Sequence, residues 1–133
     1  MLPEEGGMAS RKKGIKITLL VLAALIALVT ADHVYVTEYK LTDKGTEFSP
    51  DGQYSVSFQM VGTTDWPFGP TTAKVTVRKT DGNKRIKTFK TDIYDDGVSL
   101  SEYHWDVSRS NDSVTIVLKG SEQEDELYIV PLQ

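Results

Sequence analysis

Few residues of this 133-residue chain have the types and spacing that chemistry requires. Cysteine is absent, which excludes thiol nucleophiles, thiolate metal sites and a lipid-modified cysteine. His33 borders an N-terminal apolar run, so only His104 could serve as an imidazole base. His104 alternates with Tyr103 and Trp105, and we therefore expect it on the exposed face of a strand. The sequence predicts no catalytic residue and no enzyme activity, with a secreted hydrolase using His104 as an alternative.

A group of aspartates has the composition of a calcium loop. Asp92, Asp95 and Asp96 nearly match such a loop, but Tyr94 and Tyr103 occupy positions that need oxygen ligands. We therefore predict a solvated turn and no cofactor. The alternative is a looser C2-type site, in which these three aspartates hold calcium and dock the domain to a membrane or a partner.

The stretch TTDWPFGPTTAKV at positions 63–75 carries two aromatic rings on a restricted backbone. Pro67 and Pro70 hold the residues before them in extended conformations. Trp66 and Phe68 are therefore presented at little entropic cost, either inward as a lid on the core or outward as a stacking platform. We expect the lid. In the platform alternative, Trp66, Phe68 and Tyr94 bind a ligand or partner.

Apolar residues alternate with polar ones over most of the chain after residue 53. The clearest example is Tyr54, Val56, Phe58 and Met60, which is the period of a strand buried on one face. The same period predicts strands at 73–77, 103–107, 114–118 and 127–132, and the segment 84–93 is also predicted as a strand. No segment of helical length shows a 3.6-residue period after residue 32.

Turn signals separate these strands. Ser49-Pro50-Asp51-Gly52 and Asp81-Gly82-Asn83 favour tight turns. In the segment 84–93, Ile86 and Phe89 cannot share a face by strict alternation, which predicts a bulge or an exposed aromatic ring, and its basic face predicts an edge strand. We therefore predict an all-β fold, a single antiparallel β-sandwich of immunoglobulin-like or C2-like topology after an N-terminal hydrophobic helix, with a small barrel as the alternative.

The N-terminus has the pattern of a membrane-targeting segment. Arg11, Lys12, Lys13 and Lys16 precede the uncharged run 17–31, which predicts a cytoplasmic N-terminus. We divide the chain into a basic region at 1–13, a transmembrane anchor or signal peptide at 14–32 and an extracytoplasmic domain at 33–133. The protein is then a single-pass membrane protein with its N-terminus inside, or it is secreted after cleavage following Ala31. The start of translation is Met1 or Met8.

The charge distribution restricts the partners. Cations precede the apolar run, whereas the domain after Asp32 is acidic, which argues against nucleic acid as a partner. The acidic run at 122–126 is expected to be a solvated loop. The remaining partners are the membrane, through an uncleaved N-terminal helix, and an envelope protein or a cell-wall polymer.

The basic-then-apolar start, the motif SPDGQYSV at 49–56, the motif WPFGP at 66–70 and the motif GSEQED at 120–125 together resemble small uncharacterised membrane-anchored or secreted proteins of Gram-positive bacteria. The resemblance spans most of residues 32–133. It implies a bacterial cell-envelope location and no activity. Together these observations predict a membrane-associated β-sandwich with a binding or structural role at the cell envelope.

Overall fold

A computed structural model describes residues 4–65 and 67–132, with side chains from Ser10 onward. One long helix is followed by seven strands: α1 (Glu4–Val34), β1 (Leu41–Phe48), β2 (Tyr54–Val61), β3 (Thr71–Lys79), β4 (Lys84–Ile93), β5 (Trp105–Arg109), β6 (Ser113–Leu118) and β7 (Glu126–Pro131). A π-helical turn at Tyr35–Tyr39 follows α1, and short 3-10 turns precede β4 and β5. The chain divides into two compact units, Met1–Tyr35 and Val36–Gln133.

The first unit is dominated by α1. Among the described residues, one helix is long and apolar enough to cross a membrane. Its candidate span is Ser10–Tyr39, in which an 18-residue window has a mean hydropathy of 2.4 and no buried residue. Large apolar side chains are exposed on all sides of this helix. The predicted hydrophobic N-terminal helix is confirmed, and it extends past the uncharged run to Val34.

The second unit is all-β, as predicted. Strands β1-β2-β3-β4 form one antiparallel sheet and β5-β6-β7 form another. In both sheets, hydrogen-bonded neighbours are consecutive in the chain, so each sheet is a meander. Immunoglobulin domains instead use Greek-key connections that place non-consecutive strands side by side. The strand order therefore differs from the predicted immunoglobulin-like arrangement.

The core lies where the inward faces of the two sheets meet. Alternation in β2 and β6 buries Val56 and Phe58 on one side and Ile116 and Leu118 on the other, and these residues belong to one apolar cluster. The rings of Phe58 and Trp105 stack with centroids 4.0 Å apart, which joins the two sheets directly. Burial of such side chains contributes about 1.5–3 kcal/mol each, so this shared core is the main source of stability.

Strand β1 was not predicted, because its residues are mostly polar and half exposed. A bulge between Asp43 and Gly45 interrupts its pairing with β2. A Cβ atom on Gly45 would lie 2.8 Å from Cζ2 of Trp105, so glycine at this position lets the strand approach the ring closely. The indole Nε1–H of Trp105 donates to Oε1 of Glu47 at 3.3 Å, which ties β1 to β5.

At the opposite edges of the sheets, β4 and β7 are joined. The rings of Phe89 and Tyr128 stack with centroids 4.4 Å apart, and Oγ1 of Thr91 in β4 donates to Oε2 of Glu126 in β7 at 3.2 Å. The predicted edge position of β4 is confirmed, as is the predicted bulge, which lies beside Ile86. Ile86 and Phe89 therefore both pack against the core.

Candidate functional site

Three loops meet at one end of the β domain, and we call their described residues the loop end: 62–65 with 67–70, 94–104 and 119–125. They follow β2, β4 and β6 in turn. Backbone contacts hold them together, since the Glu122 amide donates to the Tyr94 carbonyl at 3.1 Å. A Cβ atom on Gly97, which has a φ of +77°, would lie 2.6 Å from the carbonyl oxygen of Pro67. The chain also enters the domain here, because the Thr63 amide donates to the Thr37 carbonyl at 2.9 Å.

His104 lies inside the loop end. The expectation of an exposed strand histidine was wrong, because β5 begins only at Trp105 and a 3-10 turn at Glu102–His104 directs the ring inward, where 2% of the residue is exposed. The Ser101 amide donates to Nδ1 at 3.0 Å, and Nε2 lies 2.7 Å from Oδ2 of Asp95. Because Nδ1 is an acceptor, the proton is on Nε2 and is donated to Asp95.

The Asp95–His104 pair cross-links the loops of the loop end. Oδ1 of Asp95 accepts from the Ser121 amide at 3.2 Å. The Ser121 side chain and His104 donate hydrogen bonds that hold the pKa of Asp95 below its ordinary value, so this carboxylate is ionised at neutral pH. Both nitrogens of the buried ring are engaged, which leaves His104 no free nitrogen for a substrate. The geometry is that of a cross-link between loops.

The aspartates predicted as tentative calcium ligands have separate partners. Asp92, at the end of β4, accepts from Oγ1 of Thr72 at 2.6 Å. Asp95 binds His104 and Ser121, and the amide of Asp96 donates to Oε1 of Glu122 at 2.5 Å. Within the described part of the chain, no group of three or more His, Asp or Glu side chains is arranged to hold a metal ion. Calcium binding by Asp92, Asp95 and Asp96 stays an untested alternative to the predicted solvated turn.

Two of the aromatic residues predicted as tentative binding residues, Phe68 and Tyr94, also lie at the loop end. Phe68 is 67% exposed, so the expectation that it packs inward as a lid was wrong. Tyr94 is 46% exposed. Trp66 lies outside the described residues. Phe68 and Tyr94 are therefore on the surface, where an aromatic ring can stack on a ligand.

The other end of the domain holds a cleft that the sequence analysis missed. Its volume is about 260 Å³, and it opens between the β1–β2 and β5–β6 strand pairs. The apolar floor consists of Val56, Val107 and Val114, and Glu47 and Arg109 provide its charged groups. Clefts that combine an apolar floor with a few fixed polar groups are suited to small amphipathic ligands.

Arg109 is fixed in this cleft from two sides. Its Nη1 donates to Oδ2 of Asp51 in an ion pair, and its guanidinium lies 4.7 Å from the centroid of the Tyr54 ring. Asp51 is positioned by its own turn, since its Oδ1 accepts from the Ser49 hydroxyl at 2.6 Å and from the Gln53 amide at 3.0 Å. Bonds from Ser49, Gln53 and Arg109, in that order, lower the pKa of Asp51 to about 2.

The predicted turn at Ser49–Gly52 is therefore confirmed, and it also orients the cation of the cleft. Asp51 and Arg109 are far apart in sequence, so no spacing signal could have linked them. Only the turn signal of SPDG and the inward alternation of Tyr54 pointed to this region.

Comparison of the chain with family models, with curated proteins and with solved structures found no match.

Proposed function

We propose that this protein is a single-pass membrane protein whose β domain lies outside the cytoplasmic membrane and has a binding role at the cell envelope. The observation that carries the proposal is α1, whose apolar side chains are exposed on every side. A helix of this kind is stable in a lipid environment and unfavourable in water.

The continuity and flanks of α1 support an anchor over a cleaved signal. The uncharged run at 17–31 rises by about 22 Å of a ~30 Å hydrocarbon core, and the helix continues through Asp32 and His33 to Val34. Lys12 and Lys13 precede the run and favour a cytoplasmic N-terminus. Tyr35 and Tyr39 follow it, and tyrosine is frequent at membrane interfaces.

For the β domain we propose a sandwich of two meanders. The shared core and the Phe58–Trp105 stack support it. The consecutive strand order gives no support to the immunoglobulin-like or C2-like topology. A binding role is supported by the cleft at Arg109 and by the exposed rings of Phe68 and Tyr94.

In the part of the chain that the structure describes, no arrangement of side chains favours the two alternative functions. A hydrolase using His104 would need a ring nitrogen released from Ser101 or Asp95. Calcium-dependent docking would need Asp92 and Asp95 to exchange their present hydrogen-bond partners for a metal ion. Addition of calcium to the full chain, followed by thermal unfolding, tests the second alternative, because a bound ion raises the Tm.

Membrane anchoring is tested by fractionating cells that express the full chain. We expect the protein in the membrane pellet after a carbonate wash, and we expect its intact mass to include α1. The variant Leu22→Arg/Leu25→Arg places two charges at the helix centre, each costing about 2.5–3.5 kcal/mol of insertion free energy, and this variant should no longer be recovered in the membrane pellet. The matched control Leu22→Ile/Leu25→Ile should still be recovered there.

Protease added to intact cells tests the orientation, and degradation of the β domain is expected. Recovery of the wild-type protein in the soluble fraction, with Asp32 as its first residue, would overturn the proposal of an uncleaved membrane anchor. Protection of the β domain in intact cells, with degradation only after lysis, would overturn the external location.

A further inference from the structure

The charges of the β domain are segregated along the chain. Residues 71–93, which form β3, the turn and β4, contain seven Lys or Arg and two Asp. The rest of residues 36–133 contains four Lys or Arg and fourteen Asp or Glu. The β3–β4 hairpin is therefore a cationic element in an otherwise acidic domain.

Strand pairing places these cations next to one another. Lys74 lies opposite Lys90, and Arg78 lies opposite Arg85. Lys74 and Arg78 alternate with the buried residues of β3, so they and their partners occupy the outer side of the sheet. We call these four residues the basic face. Like charges directly opposite each other destabilise a sheet, so their placement has a cost that a counter-charge would remove.

No carboxylate of the described residues forms an ion pair with the four cations of the basic face. Among the described residues, the ion pairs of Lys and Arg are Arg109–Asp51 and Lys119–Asp106, and both lie outside the hairpin. Asp92, the carboxylate nearest in sequence on β4, is hydrogen-bonded to Thr72. Asp92 lies two residues from Lys90 on the same side of β4, so the four cations exceed this one carboxylate and the basic face keeps a net positive charge.

A row of hydroxyls separates the two cation pairs. Ser57, Thr76 and Thr88 lie opposite one another on three adjacent strands, and the Oγ1 atoms of Thr76 and Thr88 are 3.5 Å apart. Strand rise places this row about 7 Å from each cation pair, and the two pairs about 13 Å apart. A single phosphate or carboxylate cannot reach both pairs, whereas a chain of such groups can.

From this geometry, we propose that the basic face binds a flexible anionic polymer with repeating phosphate or carboxylate groups. The inference rests on the proposed binding role at the envelope and specifies its ligand. The separation of the two cation pairs along the strands favours a chain of linked anionic groups, which can contact both pairs at once.

The test uses the full chain in nanodiscs of neutral phosphatidylcholine, titrated with long-chain inorganic polyphosphate. We expect saturable binding that weakens as salt rises, because binding releases counterions. The variant Lys74→Gln/Lys90→Gln should bind at least tenfold more weakly and should show a shallower salt dependence. The control Lys40→Gln/Lys44→Gln removes the same charge outside the basic face and should stay within twofold of the wild type.

The folding of each variant is checked by its Tm without polymer. Lys74→Gln/Lys90→Gln should melt at the same or a higher temperature, since it removes a like-charge pair. Lost binding with retained stability then reports on the surface itself. Absence of polyphosphate binding by the wild type, or equal losses in the two double variants, would overturn the proposal.

Two further arms distinguish the source of the anionic groups. Inorganic orthophosphate at the same phosphate concentration should compete weakly, because it cannot span both cation pairs. Nanodiscs that contain phosphatidylglycerol should leave polyphosphate affinity unchanged within twofold. Loss of polyphosphate binding on those nanodiscs would mean that the basic face binds lipid headgroups, and it would overturn the proposal of a polymer ligand. Membrane fractionation requires no polymer, so failure of the anchor and failure of this site are separate results.

Discussion

Asp51 is the residue whose protonation acts most directly on the cleft. Its pKa in the fold is about 2, against an ordinary value of 3.8. A lowered folded-state pKa means that the carboxylate stabilises the fold above about pH 4, and this stabilisation is lost as the pH falls from about 4 to 2. Asp51→Asn should therefore lower the Tm at neutral pH and flatten its decline between pH 4 and 2. Thermal unfolding followed by circular dichroism over this pH range measures both effects.

Asp81→Asn is the matched control, because it makes the same chemical change in another exposed turn. It should leave the shape of the Tm profile between pH 4 and 2 close to that of the wild type. Parallel profiles for the wild type and Asp51→Asn would mean that this carboxylate does not contribute to the acid response.

At single residues, the sequence predicted some positions correctly and others wrongly. Alternation correctly assigned Trp105 and Val107 to one face, because both contact the core. It was wrong for His104, since a strand period does not hold in the 3-10 turn before β5. The pairing of Asp51 with Arg109 depends on how two sheets meet, and such a contact leaves no local pattern.

At the scale of elements, hydrophobic alternation predicted five of the seven strands, and β4 was predicted although Ile86 and Phe89 break its alternation. It works where one face is buried and the other is solvated, as in β2 and β6. Strand β1 has no such contrast, because its burial pattern is irregular and Asp43–Gly45 contains a bulge. The cleft was missed for the same reason, since β1 supplies Glu47 and Phe48 to its lining.

The close approach of β1 to β5 gives a prediction for Gly45. Gly45→Ala would place a Cβ atom 2.8 Å from the Trp105 ring, which is held by Phe58 and by Glu47. Overpacking of this kind costs about 1–3 kcal/mol, so the free energy of unfolding should fall by that amount. Thr46→Ala, an exposed change in the same strand, should stay within about 0.5 kcal/mol of the wild type. Urea unfolding measures both values.

The mechanism is separated from a general weakening of β1 by a double-mutant cycle. Trp105→Phe removes the ring atoms that face Gly45, so Gly45→Ala should cost less in the Trp105→Phe background than in the wild type. Strict additivity of the two changes would contradict the steric explanation.

At the scale of the whole molecule, the segregation of charge predicts how salt affects stability. Neighbouring Lys and Arg side chains within the β3–β4 hairpin repel one another. Neighbouring Asp and Glu side chains in the rest of the domain also repel one another. Screening weakens repulsion between exposed charges as the Debye length falls from about 30 Å at 0.01 M to about 8 Å at 0.15 M. The Tm of the full chain should therefore rise by about 2–6 °C over this range of sodium chloride, given about 0.2–1 kcal/mol for each relieved pair.

The variant Lys74→Gln/Lys90→Gln separates the hairpin from the acidic remainder. Its Tm should rise less with salt than that of the wild type, because one repulsive cross-strand pair is already gone. Ionic strength alone decides screening, so sodium chloride and potassium chloride should act equally. Polyphosphate at low ionic strength should raise the Tm further, because a ligand that binds the folded state stabilises it by mass action. A Tm that falls with salt would show that attraction between opposite charges outweighs these repulsions, and it would contradict the segregated arrangement as the dominant electrostatic feature of the domain.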